Sequence, residues 1–366
     1  MIVDGHAHAF PFLGDASGYS TGEEHRKVLQ RHFSTHRLGA RRVSDNAVVT
    51  RPTLWDGETP GFDGLLDVNF RVGSFGRFEW ETDGVEYYIQ WLPPSLEDNT
   101  ARPQRMLAQM DALGVGRAML QCGPLYGRLD DYLSAIVRQY PDRFRACFQI
   151  VESELDGPGQ IEYAVSAVRD HQLTALYFTN DTFANRGNDE DFSADQFVPF
   201  WEAIEQLGVP VLWDIRLTQA TTHEHYLRES ARLHRFVRRF PNIHSVLTHG
   251  VPSNALVGGE VPTELLALLM EDNVTLELVF PILYGGVWDY PYPDAVPIIR
   301  QLYDRIGGGK MLWGSDMPNV ERGCTYRQSL TYLTDYCTFI KSADMDRIIG
   351  GTANELYFSQ ELRTSG

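Results

Sequence analysis

Four cysteines are few for 366 residues, and none of Cys122, Cys147, Cys324 and Cys337 stands in a Cys-x-x-Cys pair. That spacing gives no support to a zinc knuckle or a thioredoxin-type redox site and leaves buried thiols in a reducing compartment. No stretch approaches the roughly 18 apolar residues of a membrane span. The opening Met1-Ile2-Val3-Asp4-Gly5-His6 lacks the basic and apolar regions of a secretory signal. Basic runs are missing as well: Arg41-Arg42 and Arg238-Arg239 are only pairs, in a chain whose 32 Lys+Arg against 49 Asp+Glu give a net charge of −17. Such a surface repels nucleic-acid phosphates and anionic lipid. The expected setting is therefore cytoplasmic, and the expected partner is a small-molecule substrate, with no nucleic acid and no membrane. No Gly-x-Gly-x-x-Gly follows the first apolar run, so a dinucleotide-binding fold loses its main support.

What is present is a rhythm. Short apolar runs at 2–6, 115–121, 143–151, 173–178, 209–214, 243–248, 274–279 and 310–314 read as strands. Amphipathic runs at 101–113, 129–140, 160–171, 196–207, 222–240, 263–271, 295–306 and 326–340 read as helices between and after them. Eight such units imply parallel strands joined by right-handed crossovers, and an unbroken series of eight favours a closed barrel. The expected fold is α/β, a distorted (β/α)8 TIM barrel, with 1–366 as one metal-dependent barrel domain. Residues 9–99, rich in Gly, Pro, aromatics and charge, interrupt the rhythm. They read as a long irregular insertion after strand 1, lying over the barrel mouth as a lid.

In such barrels the chemistry sits at the C-terminal ends of the strands. Strand 1 ends in His6-Ala7-His8, strand 5 in Trp213-Asp214, strand 6 in Thr248-His249 and strand 8 in Gly314-Ser315-Asp316. Positions two apart on a strand share a face, so His6 and His8 can present both imidazoles to one divalent metal. A His-x-His pair alone is weak, and the chain carries another at His223-Glu224-His225. His249 and Asp316 at equivalent heights strengthen the first. The predicted metal ligands are His6, His8 and a further group, with Asp316 and His249 as candidates, around an ion that acidifies a water. Asp316 is the predicted proton acceptor, and His249 is a second acid/base group or a further ligand.

These residues resemble the amidohydrolase superfamily. His6-x-His8, His249 and Gly314-Ser315-Asp316-x-Pro318 carry the likeness, which narrows to the amidohydrolase-related branch that contains aminocarboxymuconate semialdehyde decarboxylase. Arg105–Val115, Tyr140-Pro141-Asp142-Arg143-Phe144, Phe240-Pro241-Asn242-Ile243, Leu207–Val211 and Gly350-Gly351-Thr352-Ala353-Asn354 follow that branch's habits in order. The resemblance covers about residues 1–8 and 100–358. It implies a distorted barrel, usually with one divalent metal on the two strand 1 histidines, a strand 5 histidine and the strand 8 aspartate, with the strand 6 histidine as acid/base. Zn comes first, with Mn or Fe as alternatives. Strand 5 departs from this pattern, because Asp214 occupies the histidine slot. Three readings follow: Asp214 is a substitute ligand, His223 or His225 reaches back from the next helix, or the site is degraded. The absence of Lys or Glu at the end of strand 4 argues for one metal, because binuclear members carry a bridging residue there.

For substrate contacts the candidates are Arg216, Arg51, Trp288 and Tyr284, with Arg71 a further arginine. Arginine suits a carboxylate, and the aromatic 280–290 stretch suits a ring. The insertion adds Trp55, Phe70, Phe75, Phe78, Trp80, Tyr87, Tyr88 and Trp91, rings that line a pocket, pack the insertion, or cover a second subunit in a homodimer. The function expected first is metal-dependent hydrolysis of a small cyclic or aromatic amide, lactone or ester. Nonoxidative decarboxylation of a small unsaturated or aromatic acid on the same site is the alternative, and a non-catalytic binding barrel is the alternative from another class.

Overall fold

The computed structural model describes residues 1–35, 39–49, 54–59, 61–179, 191–215, 223–251, 259–279 and 289–359. Eight strands form one parallel sheet: β1 (Ile2–Ala7), β7 (Val115–Leu120), β8 (Phe144–Gln149), β9 (Ala175–Thr179), β10 (Val211–Asp214), β11 (Ser245–Leu247), β12 (Val274–Leu278) and β13 (Met311–Trp313). They stand side by side in chain order. The sheet is nearly closed into a barrel, with helices between the strands, as the alternating pattern predicts. Local chemistry sets the helix ends. Pro103 opens the helix Pro103–Leu113, and Gly114, at φ 77, closes it by donating to Asp111 and Met110 carbonyls. Gly208 ends Val198–Leu207 in the same way. A Thr325/Gln328 capping box starts the helix Tyr326–Thr334, which stops six residues short of the predicted end at 340.

Closure joins β1 to the segment after β13. Asp316 N–H donates to His6 O at 2.7 Å, and His8 N–H donates to Met317 O at 2.7 Å. Beneath them, the buried Asp4 carboxylate accepts Ser315 N–H (2.9 Å), Ser315 Oγ–H (2.6 Å), His6 N–H (3.1 Å) and Tyr326 O–H (3.0 Å). Burial lifts the Asp4 pKa to about 6 against the pull of those bonds. Gly314 is required for this approach, since a Cβ there would lie 2.6 Å from His6 Cβ.

Residues 9–99 are not irregular. They hold a helix (Gly22–Thr35) and a five-stranded antiparallel sheet in the order β3-β2-β6-β5-β4. These strands are β2 (Ala40–Arg42), β3 (Val48–Val49), β4 (Arg71–Val72), β5 (Arg77–Thr82) and β6 (Val85–Gln90). Phe33 meets Phe78 with ring centroids 4.5 Å apart, and Phe78 meets Trp91 at 5.7 Å. Phe70 and Trp80 are also buried, so much of the expected aromatic surface is covered within this segment. Phe75 is the contrast, at 51% exposed. The two ends of the segment are pinned together: Phe10 and Ala101 exchange backbone hydrogen bonds at 2.9 and 3.0 Å.

Ser315→Ala removes a donor to Asp4 and the acceptor of Met317 N–H (2.9 Å). We expect a loss of about 1–3 kcal/mol in urea unfolding of the metal-free protein, the usual cost of unpaired buried groups.

Candidate metal centre

The site is built where β1 ends. His6 is fully buried, and its Nδ1–H donates to Glu277 Oε2 at 2.7 Å. His8 Nδ1–H donates to the Gln121 carbonyl at 2.8 Å. A carbonyl only accepts, and so does a carboxylate, so these partners put the ring protons on Nδ1 and leave both Nε2 atoms as lone-pair donors to a metal. The two Nε2 atoms are 3.1 Å apart, and His8 Nε2 is 2.7 Å from Asp316 Oδ1. His6 Nε2 is 3.8 Å from that oxygen. Among the described residues, His6, His8 and Asp316 form a group whose ligand atoms all lie within 4.8 Å of one another. Three lone-pair atoms drawn together in a buried pocket repel unless a cation sits among them. This donor set, two imidazoles and a carboxylate, suits Zn²⁺, Mn²⁺ or Fe²⁺.

The backs of these ligands are held. Asn319 Nδ2–H donates to Asp316 Oδ1 at 2.8 Å and to Tyr126 Oη at 2.6 Å. The Tyr126 ring lies 4.6 Å from the His8 ring and 5.5 Å from Trp91, so a ring of the 9–99 segment reaches the site's edge. Burial pushes the Asp316 carboxyl up; where a proton on each Nε2 takes the place of a cation, the His8 hydrogen bond, the His6 and His8 charges and the Asn319 bond leave it below its ordinary value. Burial pulls the His6 imidazole down, yet the Glu277 charge and hydrogen bond, with Asp316 and Asp4, leave it raised.

His249 stands beside this group, with its ring 4.7 Å from that of His6. Its Nδ1 is 3.0 Å from Thr248 Oγ1 and 3.7 Å from Asp214 Oδ2. Both His249 and Asp316 are left-handed, at φ 63 and 59. Asp214 lies outside the three-residue group and accepts Tyr177 O–H at 3.0 Å. His223 and His225 open the helix His223–Arg239, and His225 Nδ1 accepts from Arg228 at 2.5 Å. Arg71 pairs with Glu79 and Glu86 on the insertion sheet. Arg51, Arg216, Tyr284 and Trp288 lie outside the described residues.

The sequence reading missed Glu277, which touches His6, His249 and Gln121 at once. A lone acidic residue in the apolar run Val274–Leu278 was the available signal. Asn319 was also missed, although it follows Asp316 by only three residues.

The model of the amidohydrolase family matches residues 3–358. No curated protein matches the chain. Among solved structures, an uncharacterised TIM-barrel protein of Bordetella bronchiseptica is 17% identical, covers 97% of each chain and has a TM-score of 0.56. A probable 2-pyrone-4,6-dicarboxylic acid hydrolase of Acinetobacter baumannii, with citric acid bound, is 15% identical over 71% of this chain and 90% of its own, at TM-score 0.55. A dihydroxybenzoic acid decarboxylase of Polaromonas, with manganese and 2-nitroresorcinol bound, is 15% identical over 70% and 86%, at 0.54. These are likenesses of fold. Among the described residues no helix is long and apolar enough to cross a membrane.

Tyr126→Phe leaves the ring in place and removes one partner of Asn319. We expect a cost of about 0.5–1.5 kcal/mol in thermal or urea unfolding.

Proposed function

The chain belongs to the amidohydrolase family, and on that premise we propose that it is a metal-dependent hydrolase of a small cyclic or aromatic amide, lactone or ester. The observation that carries this reading is the convergence of His6 Nε2, His8 Nε2 and Asp316 Oδ1 with their protons directed away. These three residues would hold one divalent ion, Zn first and Mn or Fe as alternatives; the manganese in the Polaromonas enzyme supports the last pair. When bound, such an ion supplies Lewis acidity and brings the pKa of a water toward about 7.

The chain's own groups supply the rest. Asp316 takes the proton of the attacking water through its carboxylate, which Asn319 holds in place. His249 delivers a proton to the leaving group. Asp214, 3.7 Å from His249 Nδ1, steadies the imidazolium that donates this proton, and the ring is left neutral. Asp214 is also the fourth candidate ligand, being in the strand 5 slot. Arg216, Arg51, Tyr284 and Trp288 stay in the proposal as substrate contacts on the sequence argument alone. Within a single 1–366 domain, the 9–99 segment acts as a lid, a reading supported by the contact of Trp91 with Tyr126. The cytoplasmic reading is supported by four buried, unpaired thiols. The homodimer loses part of its motive, because much of the insertion's aromatic surface is covered within one chain.

Decarboxylation of an aromatic acid is the second reading, favoured by the decarboxylase among the structural neighbours. Product analysis separates the two: a released acid with its alcohol or amine supports hydrolysis, and released CO₂ supports decarboxylation.

Elemental analysis of the purified protein checks the ligand set. We expect near one equivalent in the wild type, loss in His8→Ala and in Asp316→Ala, and retention in Asp214→Ala. Loss in Asp214→Ala would make that carboxylate a ligand. No metal in the wild type, after expression in metal-supplemented medium, would overturn the enzyme reading in favour of a binding barrel. We further expect added metal at 100 times its Kd to stabilise the apo protein by about 2.7 kcal/mol, read in urea unfolding.

A further inference from the structure

We propose that Glu277 is a positioning residue that holds His6 and His249 at once, so that one buried carboxylate ties the metal ligand to the acid/base group. The inference rests on the metal-site reading above. Glu277 is fully buried on β12. Its Oε2 accepts His6 Nδ1–H at 2.7 Å and the His249 backbone N–H at 2.9 Å, and its Oε1 accepts Gln121 Nε2–H at 2.8 Å. Those partners belong to β1, to the residue after β7 and to the turn after β11. The sheet order puts β13 between β12 and β1, so the Glu277 side chain spans that strand to reach His6.

Each contact answers a specific need. A ring proton anchored on Nδ1 keeps the His6 Nε2 lone pair aimed at the ion and raises its basicity. His249 needs support of another kind. It is a non-glycine residue at φ 63, a left-handed conformation that persists only where its surroundings hold it. The N–H bond to Glu277 is such a hold, and it lies 4.7 Å (ring to ring) from the other histidine that the same oxygen serves. A buried carboxylate that only stabilised the fold would need partners, but not these two on a shared oxygen.

The test uses the full-length chain, stripped of metal, as wild type, Glu277→Gln, Glu277→Asp and Gln121→Leu. Mn²⁺ and Zn²⁺ affinities are measured by chelator competition. Hydrogen exchange is followed by mass spectrometry on a peptide covering residues 245–251. In Glu277→Gln we expect metal Kd to rise about 10–100-fold and His249 amide exchange to quicken. Glu277→Asp, whose shorter side chain cannot span both contacts, should lose at least one of the two. Gln121→Leu, which removes the Oε1 partner and the bond to the Gly5 carbonyl (3.1 Å) but keeps the backbone carbonyl that serves His8, should keep both near wild type. Unchanged affinity and exchange in Glu277→Gln, or a change in only one of them, would overturn the joint role. If that variant does not fold, Glu277→Asp decides in its place, with both readouts unchanged as the overturning result. A wild type that binds neither ion removes the metal reading, and with it the joint role; unchanged exchange in a metal-binding series removes the joint role alone.

Discussion

Two imidazoles whose Nδ1 protons face outward and whose bare Nε2 atoms lie 3.1 Å apart, beside a carboxylate oxygen, make an arrangement that water alone would not assemble. Lone pairs repel at that distance, and burial deepens the repulsion by removing solvent screening. The surrounding structure exists to hold these atoms against it. His6 is tied back to Glu277, His8 to the Gln121 carbonyl and Asp316 to Asn319. These restraints fall on separate strands and loops, so no single element forms the cluster and the barrel has to close before the cluster appears.

Closure and chemistry therefore share residues. Asp316 N–H donates to His6 O while the Asp316 side chain faces His8, so one residue both seals the sheet and joins the ligand group. Asp4 does the same from below, gathering Ser315, Tyr326 and the His6 amide. Gly314 belongs to the same device, because the two strands meet where any side chain would collide with His6. The Gly314-Ser315-Asp316 run thus supplies close approach, a carboxylate clamp and a ligand in successive positions.

The barrel was legible because its strands are apolar runs bounded by helices with clear stops, such as Gly114 and Gly208. His6, His8, His249 and Asp316 were legible because strand ends are where such barrels place reactive groups. Glu277 was not, for a physical reason. Val274–Leu278 does alternate apolar and polar residues, but in a parallel barrel both faces of a strand are buried, so the alternation marks no solvent face and does not say which neighbours Glu277 meets. Asn319 escaped because its role depends on where Tyr126 arrives from another loop. Within 9–99, β2, β3 and β4 are two or three residues long, too short for a period to show, whereas the β5–β6 hairpin was legible and passed over: Arg77–Thr82 sets Phe78 and Trp80 on one face, and Asp83-Gly84 is a turn signal. Asp214 stands out in the sequence at the end of its strand, but its neighbours Tyr177 and His249 come from other elements and could not be read from its own.

The mutual hydrogen bonds of Phe10 and Ala101 bring the departure and return of a ninety-residue excursion to adjacent points. Topologically the excursion is a hairpin loop, although groups within it also rest on barrel loops, as where Tyr19 O–H donates to the Pro124 carbonyl (3.1 Å) and Ser95 O–H to Glu321 (2.6 Å). A shorter or wholly different segment could be spliced at the same two residues without altering the register of β1 or β7. A change of length inside this excursion is then absorbed between two neighbouring points, and β1, which carries His6, need not shift to accommodate it.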